Sequence, residues 1–411
     1  MKILVLAGGF DQIALIKELK QKGNFILLAD YYENPPAKQY SDRFCNISTL
    51  DEDNITKLAV EEKVDLITTA CTDQALLTVA KVSEKLKLPC YLNTKQALAI
   101  TNKYYMKQVF LDNNIQTARF YIFDKAVEIN EQIQKINFFP AIVKPSDCNS
   151  SKGVTKVNNV NELKRALQNA YTLSRSKKVI VEEFVDGVEI SVDVWIEDKV
   201  PKIMSISETK KMWENEHNFT ICASSYPVFL NIKQKNNLKK EISKITKSFK
   251  IYNGPLLVQA IIRNDEIYVV EFSARMGGGT KYCLIEYMTG INIMKKYVDF
   301  ILTGNARLPM VKKSEMSYRL IYLYSNNGTI KKLEGFREIV LSKIAEEVFL
   351  YKKENDRIFQ KLTSSDRIAG ILVSGKSQDE IDNKLKIILQ SVRVLDENNN
   401  NMIFLHDYDG R

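Results

Sequence analysis

Residues 259–279 read QAIIRNDEIYVVEFSARMGGG, and this stretch decides the fold prediction. Its two apolar runs flank the turn pair Asn264-Asp265, a pattern that predicts a β-hairpin. Glu271 interrupts the second run, and a buried carboxylate is costly unless a cation or hydrogen bonds compensate it. In a hairpin, Gln259 and Glu271 can converge on one Mg²⁺ ion, because Mg²⁺ prefers oxygen ligands.

An arginine and a glycine run follow the predicted hairpin. Arg275 offers a planar fork that suits a carboxylate or a phosphate. Gly277, Gly278 and Gly279 let the backbone approach a ligand closely. We therefore expect an anionic group to bind at the end of the hairpin.

Further upstream, residues 179–193 read VIVEEFVDGVEISVD. A predicted strand ends in two acids, the chain turns at Gly187, and Glu189 begins the next strand. Such a hinge can offer a backbone carbonyl and amide to an adenine edge, while a carboxylate accepts from ribose hydroxyls. A simple hairpin with acidic edge residues is the alternative.

A lysine and a polar loop precede this hinge. Lys144 ends a predicted strand within AIVKP, and residues 150–154 read SSKGV. The ammonium supplies charge and the loop amides donate hydrogen bonds, so the two together can hold phosphate oxygens. The loop is not a Walker A motif, and a surface lysine beside an ordinary turn is the alternative.

These elements, in this order, resemble the ATP-grasp superfamily of ligases. The resemblance implies Arg275 and Lys144 as catalytic residues and Gln259, Glu271 and Ser273 as metal positions, although Ser273 stands where the family usually has Asn. It implies ATP contacts at Lys103, Lys144, Ser150, Ser151, Gly153 and Val154, an adenine hinge at Glu182, Glu183, Phe184 and Val185, and a ribose contact at Glu189.

The resemblance also implies a reaction. A carboxylate would attack ATP to form an acyl phosphate, and an amine would then displace phosphate to give an amide. The cofactors would be ATP and Mg²⁺, with Mn²⁺ as a substitute. Gln259 is similar to the carbamoyl-phosphate synthetase branch, and the glycine run is similar to that of the stand-alone carboxylate–amine ligases, including L-amino-acid ligases. Substrate contacts are expected at Glu208, Lys210, His217, Gly277 and Gly278.

Two alternatives to an L-amino-acid ligase remain open from the sequence. One is a purine-pathway ligase similar to phosphoribosylglycinamide synthetase, which needs a ribose-phosphate site that the sequence does not locate. The other is a nucleotide-binding regulator without turnover. Small-molecule carboxylates and amines are the expected partners, and a homodimer is left open.

The remaining chain predicts the domain organisation. Strands alternating with helices over the first hundred residues predict βαβ units, with a strand at Pro89–Leu92. The predicted fold class is α/β and α+β, an ATP-grasp fold preceded by a Rossmann-like pre-ATP-grasp domain and followed by a small α+β domain. The predicted domains are residues 1–97, 98–305 with a mobile lid at about 118–183, and 306–411. Gly8-Gly9 and Asp30 form only a broken dinucleotide fingerprint, which favours a tight turn.

Composition narrows the functional classes. The 411 residues include 59 Lys and Arg against 50 Asp and Glu, and the charge of +9 is spread along amphipathic helices, which disfavours a nucleic-acid partner. The 6 Cys are scattered singly, which predicts a reducing cytoplasmic location. No apolar run approaches the ~18 residues of a membrane span. With 2 His, a soft transition-metal site is disfavoured.

Overall fold

The structure, a computed structural model, describes residues 1–124, 129–148, 152–212, 219–312, 314–360 and 363–406. Its first unit is a parallel sheet made from short apolar runs. The four strands are β1 (Lys2–Leu6), β2 (Phe25–Asp30), β3 (Arg43–Asn46) and β4 (Leu66–Thr68), in the order β3-β2-β1-β4.

Helices cover this sheet and lead away from it. They are α1 (Phe10–Gln21), α2 (Glu52–Glu61), α3 (Asp73–Leu86), α4 (Thr94–Thr101) and α5 (Lys103–Asp112), with a short 3₁₀ helix at Lys38–Tyr40. The strand predicted at Pro89–Leu92 is wrong. Leu92 is buried, but it packs between helices instead of pairing with a strand. β3 was not predicted from the sequence.

The first β–α turn uses the residues of the broken dinucleotide fingerprint internally. The Asp30 carboxylate accepts hydrogen bonds from the backbone N–H groups of Gly8 at 2.6 Å and Tyr32 at 2.8 Å. A Cβ on Gly8 would lie 2.6 Å from the Pro35 side chain, so only glycine fits there. The acid therefore holds the turn closed.

The second unit is a small antiparallel sheet that lies within the predicted lid. Its strands are β5 (Phe120–Asp124), β6 (Ala141–Pro145), β7 (Thr155–Val157) and β8 (Lys178–Glu183), in the order β5-β8-β6-β7. Helices α6 (Ile129–Ile133) and α7 (Val160–Leu173) belong to it. Leu163 and Leu167 of α7 pack on Val143 and Val181 to form a separate apolar core.

The third unit is built around eight antiparallel strands. The sequence continues as β9 (Val188–Glu197), β10 (Val200–Lys211), β11 (Ile221–Tyr226), β12 (Gly254–Arg263), β13 (Glu266–Ser273), β14 (Ser317–Leu323), β15 (Gly328–Thr329), β16 (Lys332–Glu334), β17 (Glu347–Leu350), β18 (Arg357–Ile358), β19 (Ala369–Gly375) and β20 (Arg393–Leu395). The large sheet has the order β13-β12-β9-β10-β11-β14-β19-β17, and the remaining short strands form the pairs β15-β18 and β16-β20.

The C-terminal segment continues this sheet. β11 pairs with β14, so the strands after residue 306 add to the same layer. The associated helices are α8 (Ile232–Ser248), α9 (Lys281–Thr289), α10 (Ile293–Thr303), α11 (Phe336–Leu341) and α12 (Gln378–Ser391), with a 3₁₀ helix at Ser364–Asp366. The boundary near residue 305 stays a prediction. Within the described residues, no helix is long and apolar enough to cross a lipid bilayer.

The large sheet has one apolar and one polar face where the strands β9, β10, β12 and β13 lie side by side. Residues Ile190, Val192 and Val194 pack against α8. The alternate residues of β9 face the other way, since side chains alternate along a strand. There Ser191 pairs in register with Gln259, and Asp193 pairs with Ser205. This polar face forms the floor of a cleft.

Candidate active site

The hairpin predicted from residues 259–279 forms and brings its two polar residues together. β12 and β13 pair antiparallel with Gln259 directly opposite Glu271, so both side chains lie on the polar face. Both also line a small pocket. The other lining residues are Asp73, Ile100, Thr101, Lys103, Met106, Leu257, Phe272, Ser273 and Arg275.

Lys103 supplies a counter-charge to the hairpin carboxylate. Its Nζ lies 3.0 Å from Glu271 Oε2 and donates to the Cys148 carbonyl at 2.8 Å. Burial opposes the charge of Glu271, but Lys103 and Lys144 hold the pKa of its carboxyl below the ordinary value. The Glu271 carboxylate is therefore ionised and can bind a metal ion or another cation.

Lys144 pairs with the first acid of the hinge. Its Nζ lies 2.7 Å from Glu182 Oε2, and Nζ of Lys107 lies 2.8 Å from Glu182 Oε1. Burial raises the pKa of Glu182, but the two ammonium groups outweigh it and lower that pKa to about 2. Lys107 was not singled out by the sequence analysis, although it lies one helical turn after Lys103.

The rest of the hinge lies at the edge of the lid sheet. Glu183 pairs with Arg119 at 2.7 Å, and Nζ of Lys156 lies 4.3 Å from the centre of the Phe184 ring. Val185 is buried. Glu189, at the start of β9, forms an ion pair with Lys211 of β10.

The loop predicted to cover the phosphates is described only in part. Ser150 and Ser151 lie outside the described residues. Gly153 has a φ of +77°, and a Cβ there would lie 2.6 Å from Leu173. Val154 leads into β7. These residues stay predictions as nucleotide contacts.

Arg275 is held by an acid from the N-terminal unit. Its Nε donates to Asp73 Oδ1 at 2.7 Å, its Nη2 pairs with Asp73 Oδ2, and its Nη1 donates to the Met276 carbonyl at 2.6 Å. Burial raises the pKa of Asp73, but Arg275 lowers it below the ordinary value. Asp73 begins α3 and was not predicted, because its sequence signal is that of a helix start.

The glycine run is also fixed from the N-terminal unit. Asp11 Oδ2 accepts from the Gly279 N–H at 3.0 Å, and Asp11 Oδ1 accepts from the Thr280 N–H at 2.8 Å. Cys71 Sγ donates to the Gly277 carbonyl at 3.3 Å. A Cβ on Gly279 would lie 2.5 Å from Arg367, so the loop passes directly beneath that guanidinium.

Arg367 brings a further cation to the cleft from the C-terminal segment. Its guanidinium lies 3.6 Å from the centre of the Tyr322 ring, and its Nε donates to the Tyr324 hydroxyl at 3.1 Å. Tyr322 in turn donates to the Gly279 carbonyl at 2.8 Å. Among the described residues, no carboxylate forms an ion pair with Arg367. The sequence analysis missed this residue because it stands apart from the nucleotide motifs.

Two of the expected substrate contacts, Glu208 and Lys210, lie on β10. They lie at the end of that strand, where their side chains form an ion pair at 2.6 Å. Ser207 pairs in register with Ser191 on the polar face, so Glu208 and Lys210 lie on the opposite face. His217 lies outside the described residues. On the polar face, Lys281 donates to the Ser207 hydroxyl at 3.2 Å.

The donor set of the hairpin suits a hard cation. Gln259 offers an amide oxygen and Glu271 a carboxylate from adjacent strands, and Mg²⁺ prefers such oxygen ligands. The Ser273 hydroxyl is buried beside Asp73. The described residues contain no cluster of three or more His, Cys, Asp or Glu that could hold a metal ion by itself. Phosphate oxygens of a nucleotide would have to complete the coordination.

Comparisons with known proteins agree with this architecture. Residues 101–279 match the family model described as "Phosphoribosylglycinamide synthetase, ATP-grasp (A) domain". A phosphoribosylamine–glycine ligase of Lactococcus lactis is 23% identical over an alignment that covers 100% of both chains.

Solved structures give the same result for the fold. Phosphoribosylglycinamide synthetase from Anaerococcus prevotii aligns with a TM-score of 0.76 and 20% identity, covering 96% of this chain and 99% of that one. L-amino acid ligase from Bacillus licheniformis aligns with a TM-score of 0.76 and 20% identity, covering 96% of this chain and 98% of that one. The fold class predicted from the sequence is confirmed.

Residues 101–279 match an ATP-grasp domain, so this part of the chain belongs to the ATP-grasp superfamily, and the chain is an ATP-dependent ligase. Within that superfamily, its full-length curated relatives include phosphoribosylamine–glycine ligases, such as those of Lactococcus lactis and Caldanaerobacter subterraneus, the latter 22% identical over 92% of this chain and 94% of the relative.

Proposed function

We propose that this ligase activates the carboxylate of glycine as an acyl phosphate and joins it to phosphoribosylamine. The similarity to phosphoribosylamine–glycine ligases extends over the whole chain, beyond the nucleotide-binding part that all ATP-grasp enzymes share. It favours this reaction over the L-amino-acid ligase that the sequence motifs suggested first.

The observation that carries the proposal is that Arg367, a cation of the cleft, forms no ion pair with a carboxylate of the described residues. Lys103, Lys144 and Arg275 each have a carboxylate partner, whereas no described carboxylate pairs with Arg367. A partly buried guanidinium that forms no ion pair with a described carboxylate suits a phosphate, which it can bind through two parallel hydrogen bonds. A ribosylamine phosphate would supply that group, and the sequence alone located no site for it.

The chemistry then divides between the two ends of the cleft. Lys103 and Lys144 would neutralise the transferring phosphoryl group, and Gln259 and Glu271 would hold Mg²⁺, which shields charge on the phosphates. Arg275 would orient the attacking carboxylate. Arg275 would also stabilise the oxyanion that forms when the amine attacks the acyl phosphate.

A second candidate is an L-amino-acid ligase, and one observation favours it. Gly277, Gly278 and Gly279 follow Arg275 with two acids, Asp11 and Asp73, against the same loop. An acid beside the carboxylate-binding arginine could accept an amino group of an amino-acid substrate.

The test is ADP release with Mg²⁺-ATP and glycine, with and without phosphoribosylamine formed in solution from ribose 5-phosphate and ammonia. We expect release only when both substrates are present, and a glycinamide ribotide product by mass spectrometry. Lys144→Ala should abolish release, whereas Lys164→Ala, an exposed lysine of the same lid, should not. Release with pairs of amino acids and none with phosphoribosylamine would favour the second candidate instead.

A further inference from the structure

Two lysines share one carboxylate at the junction of the lid and the body of the enzyme. Glu182 of β8 lies between Lys107 of α5 and Lys144 of β6, at 2.8 and 2.7 Å. The three side chains are 7%, 1% and 5% exposed, in that order. Burying unequal numbers of charges is costly, and this cluster holds two cations against one anion.

Among the residues that the structure describes, no neighbouring acid is free to balance the second cation. Glu271, the other acid that acts on Lys107, is already paired with Lys103. Around Lys107 itself, Nζ donates to the Thr117 hydroxyl and lies 5.5 and 5.3 Å from the centres of the Phe110 and Phe120 rings. The Thr117 hydroxyl in turn donates to the Val269 carbonyl at 2.7 Å. Apart from Glu182, Lys144, Lys103 and Glu271, the described groups around Lys107 are therefore neutral.

The excess positive charge affects the protonation of Lys107. Burial and the neighbouring Lys144 charge lower the pKa of the Lys107 ammonium to about 8, although Glu182 and Glu271 oppose them. At mildly alkaline pH, part of the nucleotide-free protein therefore holds Lys107 as a neutral amine. A neutral amine keeps two N–H groups, enough to donate to Thr117 and Glu182.

We propose that Lys107 is a positioning residue for nucleotide binding. It keeps the Glu182 carboxylate in place when Lys144 turns to a polyphosphate, and molecules in which Lys107 is neutral take up a proton as that polyphosphate binds. This inference rests on the nucleotide site of the proposed function. The proton moves from the buffer to the lone pair of the Lys107 amine, and no other bond changes. The phosphates supply the negative charge that the cluster lacks.

The test is calorimetric titration of the full-length protein with Mg²⁺-ADP at pH 8, in HEPES and in Tris, whose ionisation enthalpies differ. Neither ADP nor its magnesium complex exchanges protons at this pH. We expect an uptake of about half a proton per nucleotide at pH 8 that falls towards zero at pH 6.5, where Lys107 is already charged. Binding without proton uptake at pH 8 would overturn the inference alone, and absence of any binding would overturn both it and the proposed function.

Two substitutions separate this role from a merely structural one. Lys107→Arg cannot lose its proton at these pH values, so it should bind Mg²⁺-ADP with no proton uptake and with an affinity independent of pH. Lys107→Met should also abolish uptake, and it should raise KM for ATP about tenfold more than it lowers kcat, because Glu182 then holds Lys144. Uptake that persists in Lys107→Arg would assign the proton to another group and refute the proposal.

Discussion

The two ends of the cleft differ in how their charges are assembled. At the nucleotide end, Lys103, Lys144, Glu182 and Glu271 form ion pairs with one another, and all come from motifs that are readable along the chain. At the other end, Arg275 depends on Asp73, and the glycine run depends on Asp11. Arg367 arrives there from the C-terminal segment. The residues of the nucleotide end can be recognised from local sequence motifs, whereas the residues of the other end come together only when the three units pack.

The largest effect is expected at the nucleotide end. Glu271→Ala removes a carboxylate that would hold Mg²⁺ and leaves Lys103 without its partner, so kcat should fall at least about a hundredfold. ADP release in the complete reaction measures this. Glu266→Ala, an exposed acid at the start of the same strand, should keep normal turnover, and equal losses in both variants would contradict the role given to Glu271.

Next in size is the stability supplied by Glu182. The pKa of Glu182 is lowered to about 2 in the folded protein, whereas an unfolded chain has the ordinary value of about 4.5. The ionised carboxylate therefore stabilises the fold at pH values above about 4.5, and this stabilisation is lost as the pH falls from about 4.5 to 2. Glu182→Gln should therefore lower the free energy of unfolding by about 3 kcal/mol at pH 7 and by progressively less below pH 4.5.

The neighbouring residue supplies a matched control for that measurement. Glu183 follows Glu182 on β8, but its partner Arg119 is 61% exposed. Glu183→Gln should leave the urea midpoint unchanged at pH 7, since exposed ion pairs contribute little. A similar loss of stability in both variants would show that the buried ion pairs of Glu182 contribute no more than the exposed pair of Glu183.

A smaller effect, confined to one substrate, is expected at the other end. Arg367→Gln should raise KM for a phosphorylated amine about tenfold to a hundredfold, the range of a charged hydrogen bond, with KM for ATP unchanged. Arg357→Gln, an exposed arginine of the same segment, is the control. A change in KM for ATP of the same size would place Arg367 on the nucleotide instead.

The smallest effect is expected for a substitution that weakens the Asp73 contact to Arg275 without removing it. Asp73→Asn keeps one oxygen that can accept from Arg275, so kcat/KM for the carboxylate substrate should fall about tenfold or less. Asp53→Asn, on the exposed side of α2, should have no effect. An unchanged kcat/KM in Asp73→Asn would mean that Arg275 is positioned by its own loop.

The sequence predicted the hairpin and the two strands that flank the turn at Gly187, because both depend on short-range signals. Turn residues and a carboxylate at a fixed spacing are enough to place Gln259 opposite Glu271. Asp11, Asp73 and Arg367 could not be found in this way, since each is an ordinary residue in its own surroundings. The position of Glu208 could not be predicted either, because only the strand pairing shows that it lies on the other face of β10 from Ser207.

The large sheet contains strands from both sides of residue 305, which affects how the chain can be truncated. Because β14 pairs with β11, a chain shortened after residue 305 would expose the hydrogen-bonding edge of β11. Unprotected strand edges recruit other strands, so such a truncation should self-associate when expressed. The predicted domain boundary therefore marks a change in sequence character but is unsuitable as a place to divide the protein, and the nucleotide half should be soluble only with its C-terminal strands attached.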